Sequence, residues 1–134
     1  MKAVFDTNVL IAAFLTEGLC AKLLTRAHRQ DFHLTLCDGI LQGFKRVLKQ
    51  KLTATPDETS EALIILSEAA QDILRQTDSI TPICRDSDDD MILACARDAG
   101  ADYLVTGDED LLVLKNYEGI RILSPREFEK LFPD

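Results

Sequence analysis

The chain alternates short apolar runs with longer segments of helical periodicity, and this alternation constrains its fold more than any other feature. Repeated strand–helix units are typical of a mostly parallel sheet covered by helices. The sequence predicts five strands, Lys2–Phe5, His33–Cys37, Ser79–Cys84, Tyr103–Thr106 and Gly119–Leu123. Five helices are predicted with both ends, at Gly18–Arg29, Gly39–Lys51, Pro56–Gln76, Asp88–Ala99 and Glu109–Leu114. A further helix is predicted to begin near Thr7, and a final helix follows Ser124, which is its predicted cap. We therefore expect an α/β fold.

Length and composition favour a single domain in a reducing compartment. The 134 residues, 46% of them hydrophobic, suit one compact domain over residues 1–134, and no repeat or linker divides them. The four cysteines are widely spaced, form no C-x-x-C pair and make no zinc pattern with the two histidines. No signal peptide and no apolar run of membrane-spanning length is evident, so we expect a cytoplasmic protein that does not enter a membrane.

Acidic residues follow three of the predicted strands. Asp6 follows the first strand, the run Asp86–Asp90 follows the third, and Asp108 and Asp110 follow the fourth. Ligands of open α/β sheets bind at the carboxyl ends of the strands, where these side chains would meet. Carboxylates that share one site repel each other unless one keeps its proton or a divalent cation binds. Oxygen ligands favour Mg²⁺ or Mn²⁺, whose coordination is often completed by phosphate groups.

Helix capping is the alternative interpretation of the same residues. Side-chain oxygens of Asp, Asn, Ser and Thr accept hydrogen bonds from the free N–H groups of a first helical turn. Each of the following positions, taken alone, fits a cap as well as a ligand: Thr7, Asn8, Ser87, Asp88 and Asp108. Acids at three strand ends together favour the metal site.

Three segments carry a resemblance to a known family. They are Val4–Leu10 (VFDTNVL), Cys84–Ala96 (CRDSDDDMILACA) and Gly100–Leu112 (GADYLVTGDEDLL), and the ending Ile122–Phe128 (ILSPREF) agrees with them in order and spacing. The chain resembles, over essentially its whole length, the PIN-domain family, in particular the toxins of bacterial and archaeal toxin–antitoxin systems. The resemblance implies a three-layer α/β/α sandwich that uses Mg²⁺ or Mn²⁺ to hydrolyse single-stranded RNA and leaves a 5′-phosphate.

The resemblance also implies roles for individual residues. Asp6, Asp89 and Asp108 match the catalytic metal ligands, and Asp110 matches an auxiliary acidic ligand. Asn8 and Thr106 match polar residues that line or brace the site, while Asp86 and Asp90 compete for the role given to Asp89.

Gly43 is a departure from the family pattern. Family members usually place a Glu on the helix after the second strand, where this chain has Gly43. Glycine inside a helix lowers its stability by about 1 kcal/mol relative to Ala. Because the sequence shows no local advantage of glycine at this position, we interpret Gly43 as the replacement of a functional residue. Either Gln42 or Asp38 substitutes through a water, or the chain is a catalytically degenerate module that binds RNA or protein. A phosphotransfer domain with Asp6 as acceptor fits less well, because no second carboxylate adjoins Asp6.

The charge distribution and one long helix bear on partners. The net charge of −8 disfavours nucleic-acid binding in general, yet residues 22–51 hold seven Lys and Arg against two Asp. Solvated helix faces explain single cations, but the regional excess suggests RNA contacts by Arg26, Arg29, Lys45, Arg46 and Lys49. The predicted helix Pro56–Gln76 is apolar on more than one side. With the resemblance, this suggests a homodimer through the helical layer and a small antitoxin as partner.

Overall fold

A computed structural model describes residues 1–75, 80 and 82–133. It confirms an α/β fold with the architecture of a three-layer α/β/α sandwich. The strands are β1 (Lys2–Phe5), β2 (His33–Cys37), β3 (Asp72–Leu74), β4 (Tyr103–Val105), β5 (Asn116–Tyr117) and β6 (Ile120–Leu123). The helices are α1 (Thr7–Leu15), α2 (Leu19–His28), α3 (Asp38–Gln50), α4 (Pro56–Ala69), α5 (Ser87–Asp98), α6 (Glu109–Leu112) and α7 (Pro125–Glu129).

The strands form one sheet in the order β3-β2-β1-β4-β6-β5, parallel except for the β5–β6 pair. β2 and β3 extend the sheet on one side of β1, and β4 then pairs with β1 on its other side. Register pairs Phe5 with Val105, so the carboxyl ends of β1 and β4 lie side by side at the point where the strand order reverses. Ligands of doubly wound sheets bind at such a point.

The central strands are fully buried, which explains their continuous apolar sequences. Ala3, Val4 and Phe5 of β1 are at most 1% exposed. The ring of Phe128 on α7 meets that of Phe5 edge-on, with centroids 5.9 Å apart, and so fixes the last helix to the sheet. Among the described residues no single helix is long and apolar enough to cross a membrane; α1 and α2 reach that length and composition only together, across a bend of 103°.

The prediction of the third strand was wrong. Ile80 and residues 82–84 are not in a strand, and the rest of the predicted Ser79–Cys84 segment, like Gln76 at the end of the predicted helix, lies outside the described residues. β3 instead comes from the end of the predicted helix Pro56–Gln76, because α4 stops at Ala69. Gln71 donates its backbone N–H to the carbonyl of Leu34, and its side-chain oxygen accepts the Leu34 N–H at 2.7 Å. Pairing with the open edge of β2 thus ends the helix.

The sequence also missed β5 and placed the start of the last strand one residue early. Glu118 and Gly119 have φ of 48° and 83° and form a tight turn that joins β5 to β6 as a hairpin. Gly119 therefore belongs to the turn, and the strand begins at Ile120.

Candidate metal centre

Thr106 links the ends of β1 and β4 through its buried hydroxyl. This hydroxyl donates a short hydrogen bond to one carboxylate oxygen of Asp6 and accepts the backbone N–H of Asp108 at 3.0 Å. The other Asp6 oxygen accepts the N–H of Val9 at 3.0 Å and caps α1. Burial raises the pKa of Asp6 despite the bond from Thr106 that lowers it, and the nearby Asp108 charge raises it further. Asp6 is thus a cap and a member of the acidic cluster at once.

Asp89 brings a carboxylate from α5 into the same region with one oxygen unsatisfied. The residue is 5% exposed, and its Oδ2 atom has no hydrogen-bond partner among the described residues. Burial, followed by the charge of Asp108, raises the pKa of Asp89 to about 7. A buried oxygen without a partner carries the full cost of its desolvation, so its position needs a proton or a cation to complete it.

Three carboxylates converge closely enough to share one ion. One oxygen from each of Asp89, Asp108 and Asp110 lies within 4.8 Å of the others. These hard oxygen donors fit Mg²⁺ or Mn²⁺, and Asp89, one of the three residues, has a carboxylate oxygen without a hydrogen-bond partner. Asp6 is not a member of this close group, and both of its oxygens accept hydrogen bonds, one from Thr106 and one from Val9.

The carboxylates open into a cleft of about 450 Å³ between the sheet edge, α5 and α3. One wall carries acids, including Asp6, Asp89 and Asp108, together with the exposed Asn8 at the start of α1. The remaining charged and polar lining residues are Thr7, Gln42, Arg46, Lys51, Asp86 and Asp88.

A family model of the PIN domain matches residues 2–110. This chain belongs to the PIN-domain family. The match includes α5 and the residues after β4 as far as Asp110, which carry the three converging carboxylates, and it indicates a metal-dependent nuclease fold. No curated protein matched the chain.

In this PIN domain Gly43 lies in the cleft, as expected for a position at which the family usually has a Glu. A Cβ atom at Gly43 would lie 3.1 Å from the Thr7 Oγ1 atom of α1. The absence of a side chain at Gly43 eases the approach of α1 to α3, because Thr7 would have to shift by a few tenths of an ångström to admit a Cβ atom. The structure gives the position a packing role as well as a place in the site.

The other acids near the start of α5 hold local structure. Asp86 caps the helix by accepting the N–H of Asp88 at 2.9 Å. Asp90 accepts the N–H groups of Ile83 and Cys84 through one oxygen, at 3.2 and 3.0 Å. The backbone that we predicted to pair in a sheet is bound to α5 instead.

The five basic residues proposed for RNA contact are dispersed. Arg26 is 2% exposed and binds both carboxylate oxygens of Glu129, at 3.0 and 2.7 Å. Arg29 binds Asp31 at 2.6 Å. Lys45 borders an apolar groove elsewhere on α3, and Lys49 is exposed. Of the five, Arg46 lines the cleft.

Two further residues at the site were not singled out from the sequence. Lys51 lines the cleft at the end of α3, and Arg85 places a guanidinium nitrogen 2.6 Å from Asp110. The sequence signal for Arg85 is its position directly before the acidic run Asp86–Asp90, where a cation can pair with a nearby acid. The side chain of Arg85 is 87% exposed and can leave Asp110 with little loss.

Proposed function

We propose that this PIN domain is an endoribonuclease that cleaves single-stranded RNA with Mg²⁺ or Mn²⁺. The observation that carries the proposal is the buried Asp89 carboxylate, which has one unpartnered oxygen and lies close to the carboxylates of Asp108 and Asp110. A buried salt bridge or capping network would give this oxygen a hydrogen-bond donor, whereas the charges that raise the pKa of Asp89 are those of other carboxylates. A divalent ion satisfies all three side chains.

The chain's residues divide the work in the following way. Asp89, Asp108 and Asp110 would hold the ion, which activates water and offsets the charge on the phosphodiester. Asp6 adds negative charge from a fixed position, because Thr106 and Val9 orient its carboxylate. Water forms a bond to phosphorus, the bond from phosphorus to the 3′ oxygen breaks, and that oxygen takes a proton. The products are a 3′-hydroxyl and a 5′-phosphate.

The proposed biological setting is a toxin–antitoxin pair. The likeness of the sequence to PIN toxins supports this role, and apolar surfaces outside the cleft support protein partners. One such surface borders a cavity of about 580 Å³ between α1, α2 and α4 that is lined mainly by apolar side chains, including Phe14, Leu15, Leu24 and Ile65. We propose a homodimer and a small antitoxin as the partners of this helical layer.

A catalytically degenerate binding module is the second candidate. It is favoured by Gly43, which supplies no carboxylate to the cleft, and by the Arg85 guanidinium, which already neutralises Asp110. Such a module would keep the fold and bind RNA or protein without holding an ion strongly enough for hydrolysis.

Titration of RNA cleavage with Mn²⁺ separates the two candidates. Wild type, Asp89→Asn, Asp108→Asn and the control Asp57→Asn would be compared on a mixed-sequence single-stranded RNA, with Mn²⁺ affinity measured by calorimetry. Asp57 is a suitable control because it also lies in the first turn of a helix, but on α4. We expect the two cleft variants to lose Mn²⁺ binding and cleavage, and the control to retain both. Wild-type protein that neither binds Mn²⁺ nor cleaves would favour the binding module.

A further inference from the structure

The cleft has an acidic wall and a basic wall, contributed by different elements. The acids come from the end of β1, from α5 and from the loop after β4, whereas the cations Arg46 and Lys51 come from α3. A phosphodiester near the Asp89–Asp108–Asp110 group would have α3 on its other side. Its phosphate oxygens need cationic or hydrogen-bonding partners there.

Gly43 leaves space for the guanidinium of Arg46. The Arg46 Nη2 atom lies 3.9 Å from the position that a Cβ atom at Gly43 would take. The two residues are three apart on one helix, so their side chains would share a face. A side chain longer than alanine at position 43 would enter the space beside the guanidinium. The glycine therefore leaves the Arg46 guanidinium, one of the cations that line the cleft, without a side-chain neighbour at position 43.

The present partner of Arg46 is weakly bound. Arg46 Nη2 lies 3.9 Å from a carboxylate oxygen of Asp88, and the two side chains are 58% and 66% exposed. Exposed pairs at this distance contribute little to stability. A guanidinium binds phosphate through two parallel N–H donors, so a phosphodiester can replace Asp88 at small cost.

We propose that Arg46 binds a backbone phosphate of the RNA strand, with Gly43 providing the space for this contact. The inference rests on the proposed nuclease function and assigns the substrate contact within its cleft. Arg46 exchanges Asp88 for the phosphate and holds the strand against α3, opposite the carboxylates. It is a substrate-binding residue and takes no part in holding the metal.

Binding to a fluorescent single-stranded RNA tests the proposal without cleavage. Affinity would be measured over a range of salt concentrations in EDTA and with Ca²⁺ in place of Mn²⁺, for wild type, Arg46→Ala, Arg46→Lys and the control Lys130→Ala. Lys130 is a suitable control because it is an exposed cation at the end of α7 and does not line the cleft. Melting temperatures of all variants, which replace exposed side chains, verify that they fold.

We expect Arg46→Ala to weaken RNA binding on the order of 10-fold and to reduce the slope of log affinity against log salt by roughly 0.7. Arg46→Lys should keep the slope and lose part of the affinity, because an ammonium lacks the paired donors. In cleavage assays Arg46→Ala should raise KM for RNA and leave Mn²⁺ affinity unchanged.

Two results would overturn the proposal. The first is an Arg46→Ala variant that binds RNA with the same affinity and salt slope as Lys130→Ala. The second is an Arg46→Ala variant whose Mn²⁺ affinity changes while its RNA affinity does not. Failure of the proposed nuclease function gives a different result, namely a wild-type protein that does not cleave RNA. If Arg46→Ala still weakens RNA binding in that case, the phosphate contact of Arg46 is supported.

Discussion

At the scale of single residues, Asp89 shows the tension between stability and function in this site. A buried carboxylate oxygen without a partner, next to the charge of Asp108, destabilises the metal-free fold. Sites built for charged ligands commonly carry such a cost, because the groups that bind the ligand cannot satisfy each other in its absence. The metal-free protein should therefore gain stability when the charge is removed.

The first prediction is that Asp89→Asn raises the melting temperature of the metal-free protein at neutral pH. The folded protein binds the Asp89 proton more tightly than the unfolded chain, because the pKa rises from 3.8 to about 7. The contribution of Asp89 to the free energy of unfolding therefore falls as pH rises from about 4 to about 7. The advantage of the variant should disappear at about pH 4, as measured by thermal unfolding in EDTA.

Mn²⁺ should reverse the order of stability for the same variant. Saturating ion stabilises the wild type through linkage and leaves Asp89→Asn unaffected. Asp57→Asn, again the control, should follow the wild type in both conditions. A variant that melts below wild type in EDTA and responds equally to Mn²⁺ would show that Asp89 serves only the structure of α5.

The second prediction concerns Gly43→Glu, with Gly43→Gln as its matched control. Both variants place the same Cβ atom 3.1 Å from Thr7 Oγ1, a contact relieved if that side chain shifts, since its hydroxyl makes only a 3.5 Å contact to the carbonyl of Ile40. The Glu variant alone adds a carboxylate to the cleft and should raise Mn²⁺ affinity roughly tenfold. It should also pair with Arg46 and weaken RNA binding. Equal Mn²⁺ affinity of the two variants would show that position 43 does not reach the ion.

The residue types at the site could be predicted because capping and metal binding require the same side chains at the same places. Asp6 and Asp108 each cap a helix, and each also lines the acidic cleft. The helix-capping and metal-site interpretations are therefore compatible. The close packing of Gly43 on Thr7 and the pairing of Arg85 with Asp110 could not be predicted. These contacts join different elements and depend on how α1, α3 and the loop before α5 are placed in space.

At the scale of elements, prediction succeeded where caps and periodicity agreed and failed at the sheet edge. The capping box of Thr55 and Glu58 marks the start of α4, and both of its hydrogen bonds form. The end of α4 has no comparable signal in the sequence, because the helix stops where Gln71 forms hydrogen bonds with Leu34 at the edge of β2. Local sequence encodes the first event, whereas the second depends on a strand nearly forty residues away.

The third prediction tests how α7 is fixed to α2. Glu129 accepts hydrogen bonds from the buried Arg26, and this bond, with a contact from Lys22, lowers the pKa of the Glu129 carboxyl. Glu129→Gln should reduce the free energy of unfolding at neutral pH by about 2 kcal/mol, because it leaves the Arg26 charge without its main partner. Chemical denaturation measures the loss, with the exposed Glu17→Gln as control.

The pH dependence of this loss identifies its cause. A lowered carboxyl pKa adds stability that is present above the ordinary value of 4.5 and is lost as pH falls through the folded value. The difference between wild type and Glu129→Gln should therefore shrink below about pH 4.5. A difference that stays constant down to pH 3 would mean that packing, and not the ion pair, holds α7.

At the scale of the whole molecule, the regional excess of cations overstates the basic surface. Arg26 and Arg29 are bound to acids, and the cations that face the cleft are Arg46 and Lys51. With a net charge of −8, the protein repels RNA at long range, so attraction depends on local groups such as the cations of the cleft. A bound divalent ion would offset part of the negative charge of the acidic wall, so metal and RNA binding should support each other.

The last prediction is that the protein forms a homodimer through the α1–α2–α4 surface and that Ile65→Glu makes it monomeric. Ile65 is 45% exposed and lines the apolar cavity together with Phe14 and Leu15, and Leu15 is itself 57% exposed. Burying these side chains against a second copy gains about 25 cal/mol per Å² of apolar area, and a charge there would have to be desolvated without a partner. Ile64→Glu is the matched control, because Ile64 is adjacent in sequence and 56% exposed but lines the groove beside Lys45. Sedimentation velocity should show dimers for wild type and Ile64→Glu and monomers for Ile65→Glu; a monomeric wild type at micromolar concentration, or dissociation by Ile64→Glu alone, would contradict the assignment of this surface.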